Sequence, residues 1–137
     1  MHNLLANNEA FKVILELYKY VIVGGSRPKL LEPFKDLTVS SPKEAVFECR
    51  IDLGEPTAKL RCFRDNKELF TGTKYMTIIR DDEIRLVIRD TEISDTANYR
   101  LEASNKLGSV DTEAKLNVNG QLIFSHMNLV YNNFGRS

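Results

Sequence analysis

The stretch Asp90-Thr-Glu-Ile-Ser-Asp-Thr-Ala-Asn-Tyr-Arg-Leu-Glu-Ala-Ser-Asn-Lys-Leu-Gly-Ser109 decides the fold of this 137-residue chain. Its apolar residues alternate with polar ones, as they do in a β-strand with one buried face. The alternating apolar positions are Ala97, Tyr99, Leu101 and Ala103. A run of turn-forming composition, Asn105-Lys-Leu-Gly108, follows them. The stretch therefore predicts a half-buried strand that ends in a hairpin.

The same two-residue period continues on both sides of that stretch. Further inward positions are Ala45, Phe47, Cys49, Ile51, Leu60, Cys62, Ile84, Leu86, Ile88, Ala114, Leu116 and Val118. Turn signals separate these runs, at Ser40-Ser-Pro42, Gly54-Glu-Pro56, Asp65-Asn66, Gly72 and Asp81-Asp82. Seven or eight short one-sided strands in about 90 residues predict an all-β sandwich of two antiparallel sheets.

The composition excludes several classes of protein. Nineteen basic and nineteen acidic residues give a net charge of zero, whereas a nucleic-acid-binding protein has a basic surplus. The two cysteines and two histidines are not paired at metal-ligand spacing, so no metal and no cofactor is expected. The longest apolar run, residues 11–23, is too short and too charged to span a bilayer. It also lacks the basic start and the uncharged core of a secretory signal.

The stretch from Asp90 resembles the immunoglobulin pattern D-x-G/A-x-Y-x-C-x-A-x-N-x-x-G of strands E, F and G. Leucine stands where that pattern has cysteine. The resemblance implies that Asp95, Ala97 and Tyr99 form a tyrosine corner, in which the tyrosine hydroxyl bonds to nearby backbone. Asn105 and Gly108 match the end of the pattern.

Three upstream segments extend the resemblance. Phe47-Glu-Cys49 is similar to strand B, and Lys59-Leu-Arg-Cys-Phe-Arg-Asp-Asn-Lys-Glu-Leu69 is similar to the strand C motif. Residues 28–39 resemble the split A/A′ strand of the intermediate, or I-set, type. The resemblance covers residues 28–118 and is strongest to I-set modules of giant muscle proteins such as titin, twitchin and obscurin.

Two departures from the family pattern concern the core. Leu101 occupies the position of the second core cysteine, and Cys62 occupies that of the core tryptophan. The inter-sheet disulfide is therefore expected to be absent, with Cys49 and Cys62 as buried free thiols rather than a redox pair. Such a core suits the reducing cytosol. The chain also has no Asn-x-Ser/Thr glycosylation sequon. Both features favour a cytoplasmic protein.

The two flanks differ from the middle of the chain in composition. Residues 1–27 end in Gly24-Gly-Ser-Arg27, which predicts a flexible joint. Within them Phe11, Ile14, Tyr18 and Val21 recur at helical spacing and predict a short amphipathic helix. Residues 119–137 contain one charged residue and short apolar fragments, and they are expected to form a poorly ordered tail.

No catalytic constellation accompanies the fold signature, so the chain is not expected to be an enzyme. Ile88-Arg-Asp90 lacks the rest of a kinase catalytic loop, and Asp81-Asp-Glu83 lacks the glycine and ligand spacing of a calcium loop. The sequence predicts a structural, protein-binding module of a sarcomeric or cytoskeletal giant protein, acting as mechanical spacer and scaffold. Its expected partners are neighbouring immunoglobulin or fibronectin modules and sarcomeric proteins. Two alternatives remain: a cell-surface adhesion or receptor ectodomain, and a module flanking a muscle-type kinase.

Overall fold

Nine β-strands and one helix make up the computed structural model, which describes residues 8–18 and 24–120. The helix α1 spans Glu9–Tyr18. The strands are β1 (Lys29–Glu32), β2 (Leu37–Ser40), β3 (Ala45–Asp52), β4 (Lys59–Arg64), β5 (Lys67–Leu69), β6 (Tyr75–Arg80), β7 (Glu83–Ile88), β8 (Ala97–Asn105) and β9 (Gly108–Asn119). A 3₁₀ turn, Ile93–Asp95, lies between β7 and β8.

The strands form two sheets, with the orders β1-β3-β7-β6 and β2-β9-β8-β4-β5. Neighbouring strands are antiparallel except β2 and β9, which are parallel. The lead-in segment splits into β1 and β2 as the family resemblance implied, so that it belongs to both sheets. This split and the short β5 raise the number of strands above the seven or eight expected. The predicted immunoglobulin-like sandwich is confirmed.

The core lies between the two sheets at the positions that the alternation predicted. β3 alternates strictly between buried and more exposed residues, and Phe47 and Ile51 are completely buried. β8 and β9 show the same alternation. The inner faces of both sheets supply side chains to one hydrophobic cluster. The inward residues of the alternating strands therefore form a packed layer between the sheets.

Two apolar side chains on outward faces are buried as well, which the alternation did not predict. Val87 lies between Val46 of β3 and Met76 of β6 in register, and is 4% exposed. Phe63 of β4 is 8% exposed. Both are shielded by neighbours within their own sheet rather than by the opposite sheet.

The predicted amphipathic helix is present at Glu9–Tyr18. The Asn8 side chain accepts a hydrogen bond from the N–H of Phe11 at 2.8 Å, which caps the first turn. None of the ten residues of α1, all within the described part of the chain, is buried. Val21 and the tail from residue 121 lie outside the described residues. No helix of the described segments has the length and hydropathy that crossing a membrane requires.

The segment expected to be a flexible joint is attached to the sandwich at Ser26. The Ser26 N–H donates to the Glu55 carbonyl at 2.8 Å, and the Glu55 N–H donates to the Ser26 carbonyl at 2.9 Å. Gly25 lies so close to this turn that a Cβ would stand 1.7 Å from the Glu55 oxygen. The expectation of a free joint is therefore wrong at these residues, because local composition did not show the tertiary hydrogen bonds.

Shortening the chain to residues 24–120 should leave the melting temperature within a few degrees of the full chain. The helix α1 contributes no buried side chain, and segments outside a core add little stability. Calorimetry on both chains measures the difference. A much lower melting temperature for the shortened chain would show that a flank packs on the sandwich.

Candidate functional site

The hydroxyl of Tyr99 joins β8 to the 3₁₀ turn that precedes it. Tyr99 is completely buried, and its O–H donates to the Asp95 carbonyl at 2.7 Å. Burial raises the pKa of this phenol, so the hydroxyl remains a donor at neutral pH. Asp95 and Tyr99, which were predicted to form a tyrosine corner, are therefore joined by this hydrogen bond, and Ala97 between them in sequence is buried.

The Asp95 carboxylate is the centre of a second set of contacts at this corner. Its side chain is 5% exposed, and Lys74 Nζ lies 2.7 Å from one carboxylate oxygen. Arg64 of β4 lies 3.8 Å from the other oxygen. The carboxylate also accepts the Glu92 N–H at 2.8 Å. A buried charge is tolerated only when it is paired and hydrogen-bonded, and here two cations and an amide supply that compensation.

Asn105 and Gly108 lie at the opposite end of β8. The Asn105 amide nitrogen donates to the carbonyls of Ser26 at 2.8 Å and Pro56 at 3.0 Å. Its side-chain oxygen accepts the Leu107 N–H at 2.9 Å. A Cβ on Gly108 would lie 2.9 Å from the guanidinium of Arg27, so a larger residue there would displace that side chain. Asn105 thus ties three separate segments together.

The two thiols face one core from opposite sheets. Cys49 lies in β3 and Cys62 in β4, and both are free and buried. Leu101 is the register partner of Cys62 in the neighbouring strand β8. Burial is the main cause that raises the pKa of Cys49 to about 12. Electrostatic repulsion from the thiolate form of Cys62 and from Glu48 contributes less. Burial also raises the pKa of Cys62. Both sulfurs are therefore protonated at neutral pH and poor nucleophiles.

A cleft of about 170 Å³ opens beside Cys62 at the edge between β5 and β6. Leu69, Tyr75 and Leu86 contribute to its walls. The Cys62 sulfur lies 3.9 Å from the Thr77 hydroxyl. The small thiol stands where the family pattern has an indole, and this cleft lies next to it.

Charged side chains cover the outward face of the second sheet. The Arg100 guanidinium lies 4.0 Å from the centre of the Phe63 ring, and that of Arg61 lies 5.1 Å from it. Arg61 also binds both carboxylate oxygens of Glu68, at 2.8 and 3.2 Å. These contacts explain why Phe63 is buried on an outward face. Sequence reasoning missed them, although an arginine two residues before an outward aromatic was a usable signal.

A parallel strand pair joins the beginning of the sandwich to its end. β2 and β9 run side by side over four residue pairs, from Leu37 opposite Leu116 to Ser40 opposite Asn119. The Ser41 N–H extends the pairing by donating to the Asn119 carbonyl at 2.8 Å. Before β2, the Asp36 carboxylate accepts the Lys115 N–H at 2.8 Å.

The described residues contain no group of three or more His, Cys, Asp or Glu side chains that could hold a metal ion. His2 and His126 lie outside the described residues. Among the family-motif residues, Asp95, Tyr99 and Asn105 connect strands to turns by hydrogen bonds.

Comparison with known proteins fits this arrangement. The model of the immunoglobulin I-set domain matches residues 28–118. The chain belongs to the immunoglobulin I-set family. This family and its titin neighbours are non-catalytic.

Named relatives include muscle proteins. The chain is 35% identical over 90 residues to human SPEG neighbor protein, a match that covers 65% of this chain and 37% of that protein. It is also 35% identical over 92 residues to titin of Drosophila melanogaster. This match covers 66% of this chain but less than 1% of titin. The crystal structure of the titin M3 domain is 31% identical, with a TM-score of 0.63, and covers 68% of this chain and 97% of that domain. The match thus spans little more than a third of the first of these curated relatives and a very small part of the second.

Replacing Tyr99 with phenylalanine should lower the free energy of unfolding by about 1–2 kcal/mol, because the buried Asp95 carbonyl loses its donor while the ring remains packed. Urea denaturation measures the change. Tyr18→Phe is the control, since that tyrosine is 58% exposed on α1 and should change stability by less than about 0.5 kcal/mol. Equal stabilities of wild type and Tyr99→Phe would contradict the tyrosine corner.

Both cysteines should be alkylated when unreduced protein is denatured, because both are free in the structure and Leu101, not Cys62, occupies the position of the family's second core cysteine. Cys62 lies on the strand beside that position. In native protein alkylation should be slow, limited by opening of the core. A cysteine introduced at exposed Ser109 should label rapidly and serves as the control for the reagent. Mass spectrometry counts the labels. A Cys49–Cys62 bridge, or rapid native labelling of either thiol, would contradict the strand placement.

Proposed function

We propose that this I-set chain is a non-catalytic structural and protein-binding module of a sarcomeric or cytoskeletal giant protein, acting as a mechanical spacer and scaffold. The observation that carries the proposal is the parallel pairing of β2 with β9. Muscle proteins among the relatives, including titin, support the setting. The proposed location is the cytoplasm, in the sarcomere or cytoskeleton.

The geometry of this pair suits it to resist extension. β2 lies near the beginning of the sandwich and β9 at its end, and the two strands point in the same direction. Tension on the two ends of the module therefore pulls β2 towards its beginning and β9 towards its end. The four pairs are loaded together in shear instead of opening one after another.

Side chains and flanking backbone reinforce the same pair. The Thr112 hydroxyl of β9 accepts the N–H of Phe34, which lies just before β2, at 2.8 Å. With the Asp36 and Ser41 bonds, this contact connects the β2 region to β9 on both sides of the four-residue pairing. The module should consequently resist tension along β2 and β9 more strongly than four backbone pairs alone would.

The proposed partners are neighbouring immunoglobulin or fibronectin modules and sarcomeric proteins. Within residues 8–18 and 24–120, each sheet ends in strands with one unpaired edge, β1 and β6 in one sheet and β2 and β5 in the other. An extended peptide can add to such an edge by main-chain hydrogen bonds. The free thiols and Leu101 favour this setting over a disulfide-stabilised cell-surface ectodomain.

Replacing Asp36 with alanine should weaken the module under tension. The variant loses the bond from the Lys115 N–H, worth about 1 kcal/mol, so the unfolding rate at constant force should rise about fivefold if that bond breaks before the transition state. Single-molecule force spectroscopy on the full chain, pulled from its two ends, measures this rate.

Glu113→Ala is the matched control, because it removes an exposed carboxylate from β9 itself and should leave the rate nearly unchanged. Equal rates for wild type and Asp36→Ala would show that the β2–β9 region does not limit unfolding. Unfolding of the wild type at negligible force would contradict the spacer function as a whole.

A further inference from the structure

Four residues that precede the I-set region, Gly24–Arg27, pass across one end of the sandwich between two turns. On one side lies the turn Gly54–Pro56, between β3 and β4, and on the other the turn Asn105–Gly108, between β8 and β9. We propose that Gly24–Arg27 is a strap that closes this end of the module, fixes the direction in which the preceding chain arrives, and opens separately from the core.

Hydrogen bonds hold the strap from both sides. Ser26 exchanges two backbone hydrogen bonds with Glu55, at 2.8 and 2.9 Å. The Ser26 carbonyl also accepts a bond from the Asn105 side chain at 2.8 Å. Asn105 donates as well to the Pro56 carbonyl, so one side chain connects the strap to both turns.

Close backbone approach, which only glycine allows, is required at two positions. Gly25 has φ +149° and would place a Cβ 1.7 Å from the Glu55 oxygen. Gly54 has φ +72° and would place a Cβ 2.4 Å from the Ser26 oxygen. The strap and the turn therefore touch through backbone atoms at points where each lacks a side chain. Gly25 in the strap therefore serves close packing, and not freedom of movement.

The last residue of the strap makes a side-chain contact with the second turn. The Arg27 guanidinium lies over Gly108, within 2.9 Å of where a Cβ would stand. Pro28 follows and is completely buried. The path from Gly25 to the first strand is thus determined at every residue. A chain segment that precedes the strap would therefore leave the module in one direction. In a spacer, this direction would set the angle between the module and the preceding segment, a consequence that rests on the proposed function.

Separate opening follows from the nature of these contacts. The strap is held by hydrogen bonds at the surface, whereas the core is held by side chains such as Phe47 and Leu101 that are completely buried. Segments with few buried apolar contacts open at lower free energy than the core. The strap should therefore exchange its amide hydrogens by a local opening.

Amide hydrogen exchange by NMR on the full chain tests the strap. In the wild type the Ser26 and Glu55 amides should exchange at least about tenfold more slowly than in an unstructured peptide, yet faster than the Cys49 amide in β3. In Gly25→Ala the first two amides should lose that protection, while the Cys49 amide should keep its rate. Gly72→Ala is the matched control, since a Cβ there has no neighbour within 4 Å, and it should change none of the three rates.

Asn105→Ala provides a second variant, because it removes the side-chain bond without placing an atom in the strap. It should speed exchange at Glu55 and Ser26 by a smaller factor than Gly25→Ala. Unprotected Ser26 and Glu55 amides in the wild type would overturn the strap. Acceleration of the Cys49 amide together with them, or failure of Gly25→Ala to fold, would overturn its separate opening. This experiment involves no partner and no tension. Its outcome therefore does not decide the proposed mechanical function, which the force-spectroscopy experiment tests separately.

Discussion

Apolar packing between two sheets, without a covalent bond across it, is the interaction on which the rest of the structure depends. Phe47 lies at the centre of this packing. The centre of its ring is 5.0 Å from that of the Phe34 ring and 5.6 Å from that of the Tyr99 ring. A disulfide in such a module is worth about 2–5 kcal/mol. Complete burial of Leu101 replaces part of that contribution, on the order of 2 kcal/mol, and leaves Cys49 as a small apolar neighbour.

Directional polar contacts at both ends of β8 fix how the packed sheets meet the turns. At the first end Tyr99 and Asp95 tie the strand to the 3₁₀ turn, and two cations neutralise the carboxylate. At the other end Asn105 holds a neighbouring turn and the incoming chain. Apolar burial has no direction, so contacts of this kind determine the geometry of the loops that a partner would meet.

The way the chain enters and leaves the sandwich links this core to the proposed function. The lead-in segment first pairs in one sheet as β1 and then in the other as β2, beside the last strand. Tension at the ends therefore reaches the core through a parallel pair, and the strap adds a weaker contact ahead of it. In the proposed function, the β2–β9 pair would resist unfolding, and the strap would set the direction of the preceding chain.

The sequence by itself determined what depends on neighbours along the chain. The period of two identified the inward residues of β3, β7, β8 and β9, because alternation is a local property of a strand. The turn-forming run before Gly108 and the family motif around Tyr99 then specified the immunoglobulin fold, and the absence of a second core cysteine excluded its disulfide. These inferences needed no knowledge of what each strand touches.

Only the tertiary structure decided which distant groups meet. Phe63 and Val87 looked exposed from their positions, yet side chains from neighbouring strands cover them. Gly25 and Ser26 looked like a flexible joint, yet the turn at Glu55, 29 residues beyond Ser26, binds them. Glycine-rich composition records only that a backbone can approach closely or bend freely. Which of the two occurs depends on whether another backbone lies within hydrogen-bonding distance, and chain folding alone brings it there.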